Sequence, residues 1–192
     1  MSQFGGKYRV QFEVYHGVPT GWAASQVLAE HEKLGGTFSL LGPRATEPGA
    51  PAWLPDRDGW LQYRAMLYRV AEGVRANDPA CVELAIRYIE LRYIGSYSGY
   101  LRARLSRSLK SATLTTDQKQ RLIAHFLNLI EKEERTEEFR EYIRLWRKLI
   151  SVSELSDIEA RVNKMPNGHV KASWLMSQLR LNSAAARVSG RP

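Results

Sequence analysis

A single cysteine, Cys81, stands in this chain of 192 residues, so no disulfide can close within it. That favours a reducing compartment. Long apolar runs are missing too: no stretch approaches the roughly 18 consecutive apolar residues that a membrane-spanning helix needs. The opening segment MSQFGGKYRVQFEVY has neither the apolar core nor the small-residue cleavage site of a secretory signal. These absences predict a cytoplasmic protein with no membrane partner.

Histidine is scarce and scattered. His16, His31, His125 and His169 have no second histidine or cysteine at a metal-ligand spacing. The sequence therefore carries no zinc motif, and only folding could assemble a metal site. Neither G-x-x-x-x-G-K-[ST] nor G-x-G-x-x-G occurs, so no nucleotide-triphosphate engine and no cofactor is expected. Gly95-Ser96-Tyr97-Ser98-Gly99 superficially resembles a nucleophile elbow, but that motif needs serine at its centre on a strand-to-helix turn. Tyr97 occupies the centre and helical patterns flank it. No catalytic residue is assigned, although an active site assembled from distant residues leaves no motif to find.

What is present is ordinary globular composition, with 44% hydrophobic and 25% charged residues, enough to build a core without metal or disulfide support. Lys7 to Tyr15 alternates apolar and polar residues with the period of a half-buried strand. A helix follows Thr20, with Val27, Leu28, His31 and Leu34 on one side, and Gly35-Gly36 ends it. Thr37 to Leu41 reads as a second short strand. Residues 1–41 are thus expected to be a small α+β element. Residues 42–59, GPRATEPGAPAWLPDRDG, read as a linker, because four prolines disfavour helix. Trp53 and Leu54 within it suggest tethering to a groove.

Residues 60–181 read as a helical domain, a bundle or a short stack of αα-hairpins, and residues 182–192 as a disordered tail. The first helix spans Gly59 to Arg75, with Trp60, Tyr63, Leu67, Ala71 and Val74 inward. Asp78-Pro79 opens the second as N-cap and first-turn proline, and Gly95 is expected to stop it. The third spans Ser98 to Lys110 on a stripe of Leu101, Leu105 and Leu109. Thr115 and Gln118 form a capping box for the fourth, which turns Leu122, Phe126 and Ile130 inward. The fifth spans Thr136 to Ile150. Ser156 and Glu159 have capping-box spacing before a sixth, Asn167-Gly168 breaks it, and Val170 to Leu181 reads as a last helix. Leu105 and Phe126 should be buried.

The net charge is +8, and its placement is uneven. Residues 1–94 and 126–150 are each neutral overall. Residues 97–125 set Arg102, Arg104, Arg107, Lys110, Lys119 and Arg121 against Asp117 alone, and the C-terminal segment is also basic. On the third helix Arg102, Arg104, Arg107 and Lys110 fall opposite the leucines and are expected to face solvent. Tyr97 and Tyr100 at its entrance could stack on bases. The amides of Ser98, Gly99 and Tyr100 could receive an anion at the helix N-terminus. Two function classes follow. One is a non-catalytic module, an adaptor, inhibitor or accessory subunit, that holds another protein on a helical surface. The other is a nucleic-acid-associated protein using the basic helix and tail.

Overall fold

The computed structural model describes residues 17–41, 57–95, 97–134 and 138–180. Among them the chain forms eight helices: α1 (Ala24–Lys33), α2 (Arg57–Arg75), α3 (Pro79–Glu90), α4 (Ser98–Leu109), α5 (Thr116–Glu131), α6 (Phe139–Leu149), α7 (Val152–Asn163) and α8 (Gly168–Arg180). None is long and apolar enough to cross a membrane. The mainly helical class read from the sequence is what the chain adopts. The strand expected at Lys7 to Tyr15, the linker residues 42–56 and the tail beyond Arg180 lie outside the described residues.

The apolar periodicity explains the packing. Helices α2, α3 and α4 pack on one another, with Tyr63, Leu67, Val70, Ile86, Ile89 and Leu105 almost wholly shielded from water. Phe126 of α5 stacks on Tyr142 of α6 at 5.0 Å between ring centroids and lies 5.8 Å from Trp146. Burial of Leu105 and Phe126 matches the sequence reading. Helices α7 and α8 form a hairpin that reaches the rest through α6, and α1 lies across α2 and α3. At the α2–α3 crossing, a Cβ on Gly73 would come within 2.3 Å of Cys81 Sγ, so only glycine permits this approach.

Helix ends follow side-chain chemistry. Thr115 and Gln118 close the predicted capping box at the start of α5, at 3.1 and 3.2 Å. Three boundaries differ from the sequence reading. The α7 box is made by Ser151 and Glu154, five residues before the expected Ser156 and Glu159, because the earlier pair has the same spacing and α7 already runs through Ser156. Helix α3 ends at Glu90, before Gly95, where Arg92 turns into the left-handed region at φ 54°. Thr37 to Leu41 is not a strand but an irregular segment whose first amides are taken by Asp78.

Asp78 does more than cap α3. Its Oδ1 accepts from the Cys81 amide at 2.8 Å and from His31 Nε2 at 3.0 Å. Its Oδ2 accepts from the amides of Thr37 and Phe38 at 2.7 and 2.9 Å. One buried carboxylate thus joins the C-terminal end of α1 and the segment after it to the start of α3. Burial pushes the Asp78 pKa up, but the amides of Cys81, Thr37 and Phe38 outweigh it and hold the carboxyl well below the usual carboxylate range. A depressed folded-state pKa stabilises the fold fully above the unfolded value near 4, and that stability is lost as pH falls below it. Asp78→Ala should cost on the order of 2–5 kcal/mol, more than an ordinary cap, because three amides lose their acceptor. Urea unfolding at pH 7 and pH 3 measures this, and the variant's penalty should shrink at the lower pH.

Candidate functional site

The four cations of α4 do not form one solvent-facing row. Helix α4 is covered by α2 and α3 on one flank and by α6 on another, which leaves little of its circumference open. Arg102 is buried: its Nε donates to Glu138 Oε1 at 2.6 Å and its Nη1 to the Tyr93 carbonyl. Arg104 is half-buried, with its guanidinium 4.0 Å above the Tyr68 ring. Lys110 reaches Glu141 at 3.5 Å, and half-exposed Arg107 lies 3.8 Å from the same carboxylate. The expectation that all four face solvent is therefore corrected, most sharply for Arg102. Glu138 and Glu141 come from α6 and the residue before it, and neither was visible as a partner along the sequence.

The N-terminus of α4 has its own anion. Ser98 Oγ donates to the Gly95 carbonyl at 2.8 Å and accepts from the Gly95 amide at 3.1 Å, which uses this side chain within the turn. Glu138 Oε2 stands 3.0 Å from where a Cβ on Gly99 would lie, so glycine makes room for the carboxylate. Glu138 thus stands beside the first turn of α4 while it pairs with Arg102.

Folding brings His31, Asp78 and Cys81 together, with potential ligand atoms all within 4.8 Å. The donor set is nevertheless occupied. An ionised carboxylate only accepts, so His31 presents Nε2–H to it, and Asp78 also holds three amides. A cation would have to displace those bonds. Burial first, and then the Asp78 charge, push the Cys81 thiol up, which keeps it protonated and a poor nucleophile. The cluster acts as a clasp. His16 lies outside the described residues, and exposed His169 lines a shallow cleft of about 360 Å³ with Asn163 and Met176.

Two features were not legible as sites beforehand. Arg64 of α2 is 1% exposed and lies over the Trp60 ring at 4.3 Å and the Tyr97 ring at 3.8 Å, the two rings inclined at 71° to each other. Its Nε and Nη2 are buried without hydrogen-bond partners, as are Arg104 Nε and Trp60 Nε1. Each cation–π contact returns about 0.5–2 kcal/mol, against an effective desolvation cost of several kcal/mol for a buried ion. Tyr68 and Tyr97 share a hydroxyl hydrogen bond of 3.1 Å. Burial, then that bond, raise the Tyr68 pKa, while Arg104 and Arg64 pull it down, placing both cations near one hydroxyl. Tyr97 is half-buried in this group, and Tyr100, 64% exposed, stands 4.9 Å from it. The signal in the sequence was an arginine four residues from an aromatic on either side, Trp60, Arg64 and Tyr68, one helical turn apart.

The second feature is a groove of about 490 Å³ between α1 and α3. Trp22, Val27 and Leu84 supply apolar walls, and Leu91 is 40% exposed at one end. Ile94, also exposed, follows Leu91 in the chain. The rim is charged: Arg87 bridges Glu30 at 2.7 Å and Glu83 at 2.8 Å.

Two outcomes test this account. Arg102→Met should cost about 3–5 kcal/mol by stranding Glu138, and adding Glu138→Met should recover much of the loss. Chemical denaturation of the single and double variants checks it; an unchanged midpoint in Arg102→Met would return that side chain to the surface. His125 lies 6.2 Å from the Tyr142 ring, and burial pushes its pKa down to about 4. A base whose folded pKa is lowered loses stability as pH falls from its unfolded value near 6.5. His125→Gln should therefore lessen the drop in urea midpoint between pH 7 and pH 5.

Comparison with known proteins finds no matching protein family, no matching curated protein and no matching solved structure.

Proposed function

We propose that this chain is a non-catalytic interaction module that holds an apolar segment of another protein in the groove between α1 and α3. The observation that carries this reading is the groove itself, backed by the buried Trp22, Val27 and Leu84, with Leu91 40% exposed at one end and a rim of paired charge from Glu30 and Arg87. An apolar centre with a polar border is the anatomy of a specific protein contact. Leu91, which lines the groove, and Ile94, three residues on in the chain, are exposed apolar side chains. The partner's apolar side chains would gain burial, while Arg87 and Glu30 would orient its polar flanks.

A separate observation supports a second reading, a nucleic-acid-associated protein. Arg107 and Arg104 keep part of their surface on α4, and Tyr100 is exposed on the same helix. Phosphate contacts from these two arginines would weaken with salt, since each neutralised phosphate releases a counterion. Arg102 is excluded from this set by its burial with Glu138.

One paired experiment separates the readings. Affinity capture from the source cells, with and without nuclease, is run with the parent chain and with a Leu91→Glu, Ile94→Glu variant. The module reading expects a nuclease-resistant protein partner that the variant loses while its unfolding midpoint stays within about 0.5 kcal/mol of parent. Identical recovery by both chains removes the groove. For the second reading, single- and double-stranded DNA and RNA are titrated at two salt concentrations. Arg104→Gln with Arg107→Gln should lower affinity and flatten the salt dependence; indifference to both changes removes α4 as a nucleic-acid surface.

A further inference from the structure

Arg64 and Arg102 are both buried arginines, and their surroundings differ in one respect. Arg102 has Glu138. Arg64 makes no salt bridge among the described residues, and its Nε and Nη2 have no hydrogen-bond partner. Those two nitrogens share one edge of the guanidinium and present parallel N–H groups, the pair that grips an oxyanion side-on. The Trp60 and Tyr97 rings, set at 71° to each other, both lie against the guanidinium, and this edge has no partner among the described residues.

The neighbours supply the rest of an anion site. Arg104, stacked on Tyr68, also has a buried Nε without a partner, and Trp60 Nε1 is another unused donor. The Tyr68 and Tyr97 hydroxyls meet at 3.1 Å between the two stacks. Among the described residues no carboxylate is bound to either guanidinium group. A single carboxylate ligand would leave one cation unbalanced, whereas a phosphate monoester, close to dianionic at neutral pH, matches both. Beside them Tyr100 exposes most of its ring, a surface on which a flat aromatic base can stack.

We propose that Arg64, Arg104 and the Tyr97 hydroxyl hold the phosphate of a nucleotide whose base stacks on Tyr100. Arg104 and Tyr100 form the open lip and receive the ligand first. Arg64 is the floor, its edge shielded from water in this structure. The site shares no residue with the α1–α3 groove, and a bound mononucleotide needs no nucleic-acid partner. Its outcome is therefore separable from the groove reading; it shares Arg104 and Tyr100 with the nucleic-acid reading, and mononucleotide binding without preference for the oligoadenylate distinguishes it from that one.

Adenosine monophosphate, inorganic phosphate and a 5′-phosphorylated oligoadenylate are titrated into the full chain by calorimetry, with phosphorus resonance as a second signal. The nucleotide should bind, and Arg104→Gln should weaken it by about tenfold or more, the loss expected for a charge-assisted contact. Tyr100→Ala should weaken the nucleotide and leave inorganic phosphate unchanged. Lys164→Gln, an exposed charge at the end of α7 and outside the site, should leave mononucleotide binding within about twofold. Arg64→Lys keeps the charge and loses the side-on edge, so it should also weaken binding; if it unfolds, Arg104→Gln and Tyr100→Ala still decide. Tighter binding of the oligoadenylate identifies the source as a single strand, and equal binding identifies a free nucleotide. Absence of binding by both at millimolar concentration, indifference to Arg104→Gln, or equal weakening by Lys164→Gln overturns the proposal.

Discussion

The Asp78 carboxylate organises the N-terminal half of the described structure. Helix α1 is only 10 residues long and its helical propensity alone is too weak to hold it in place. The carboxylate gives it an anchor, through His31 and through the amides of Thr37 and Phe38 that follow. The same group caps α3, so the orientation of α1 on α2 and α3 is tied to where α3 begins. Gly36 lets the chain pass the His31 ring, since a Cβ there would come within 2.2 Å of it. Gly73 lets α2 approach Cys81 just beyond the cap. The walls of the α1–α3 groove, Trp22, Val27 and Leu84, are positioned by this arrangement.

Charge is the second constraint. The chain carries a net +8, yet its buried or half-buried cations are mostly matched to particular carboxylates. Arg121 joins Glu83 and Glu90, Arg87 joins Glu83 and Glu30, and Arg102 joins Glu138. Such pairing compensates the cost of removing charge from water only when the geometry is good and the remaining donors are satisfied. Against that pattern Arg64 stands out. Two aromatic faces cover its guanidinium, but no acceptor meets its bidentate edge. The contrast between Arg102 and Arg64 separates a buried cation with a carboxylate partner from one without such a partner among the described residues.

The two candidate surfaces call for different chemistry. The α1–α3 groove has apolar walls and would gain from area removed from water, with little dependence on salt. The α2–α4 cluster is cationic and aromatic and would gain from charge-assisted hydrogen bonds and stacking. Salt should therefore weaken binding at the second more than at the first.

Local chemistry was legible in the sequence because it acts over three or four residues. The helices appeared through apolar spacing, and the Thr115–Gln118 box and the Asp78-Pro79 start through capping chemistry. Burial of Leu105 and Phe126 followed from stripes that only a helix brings into line. The α7 start was displaced by five residues because two serine–glutamate pairs have the same spacing, and spacing alone cannot rank them. What the arginines of α4 face was decided only by tertiary structure. A helical wheel assumes one neighbour and one open side, but α4 packs on several helices, so Arg102 meets a carboxylate 36 positions away. His31 meets Asp78 across 47 positions in the same way. Sequence determined which segments coil and which face of each is apolar, because those depend on short-range periodicity. The tertiary structure alone decided which charges are paired and which guanidinium is left without an anion, because that depends on long-range packing and on where water is excluded.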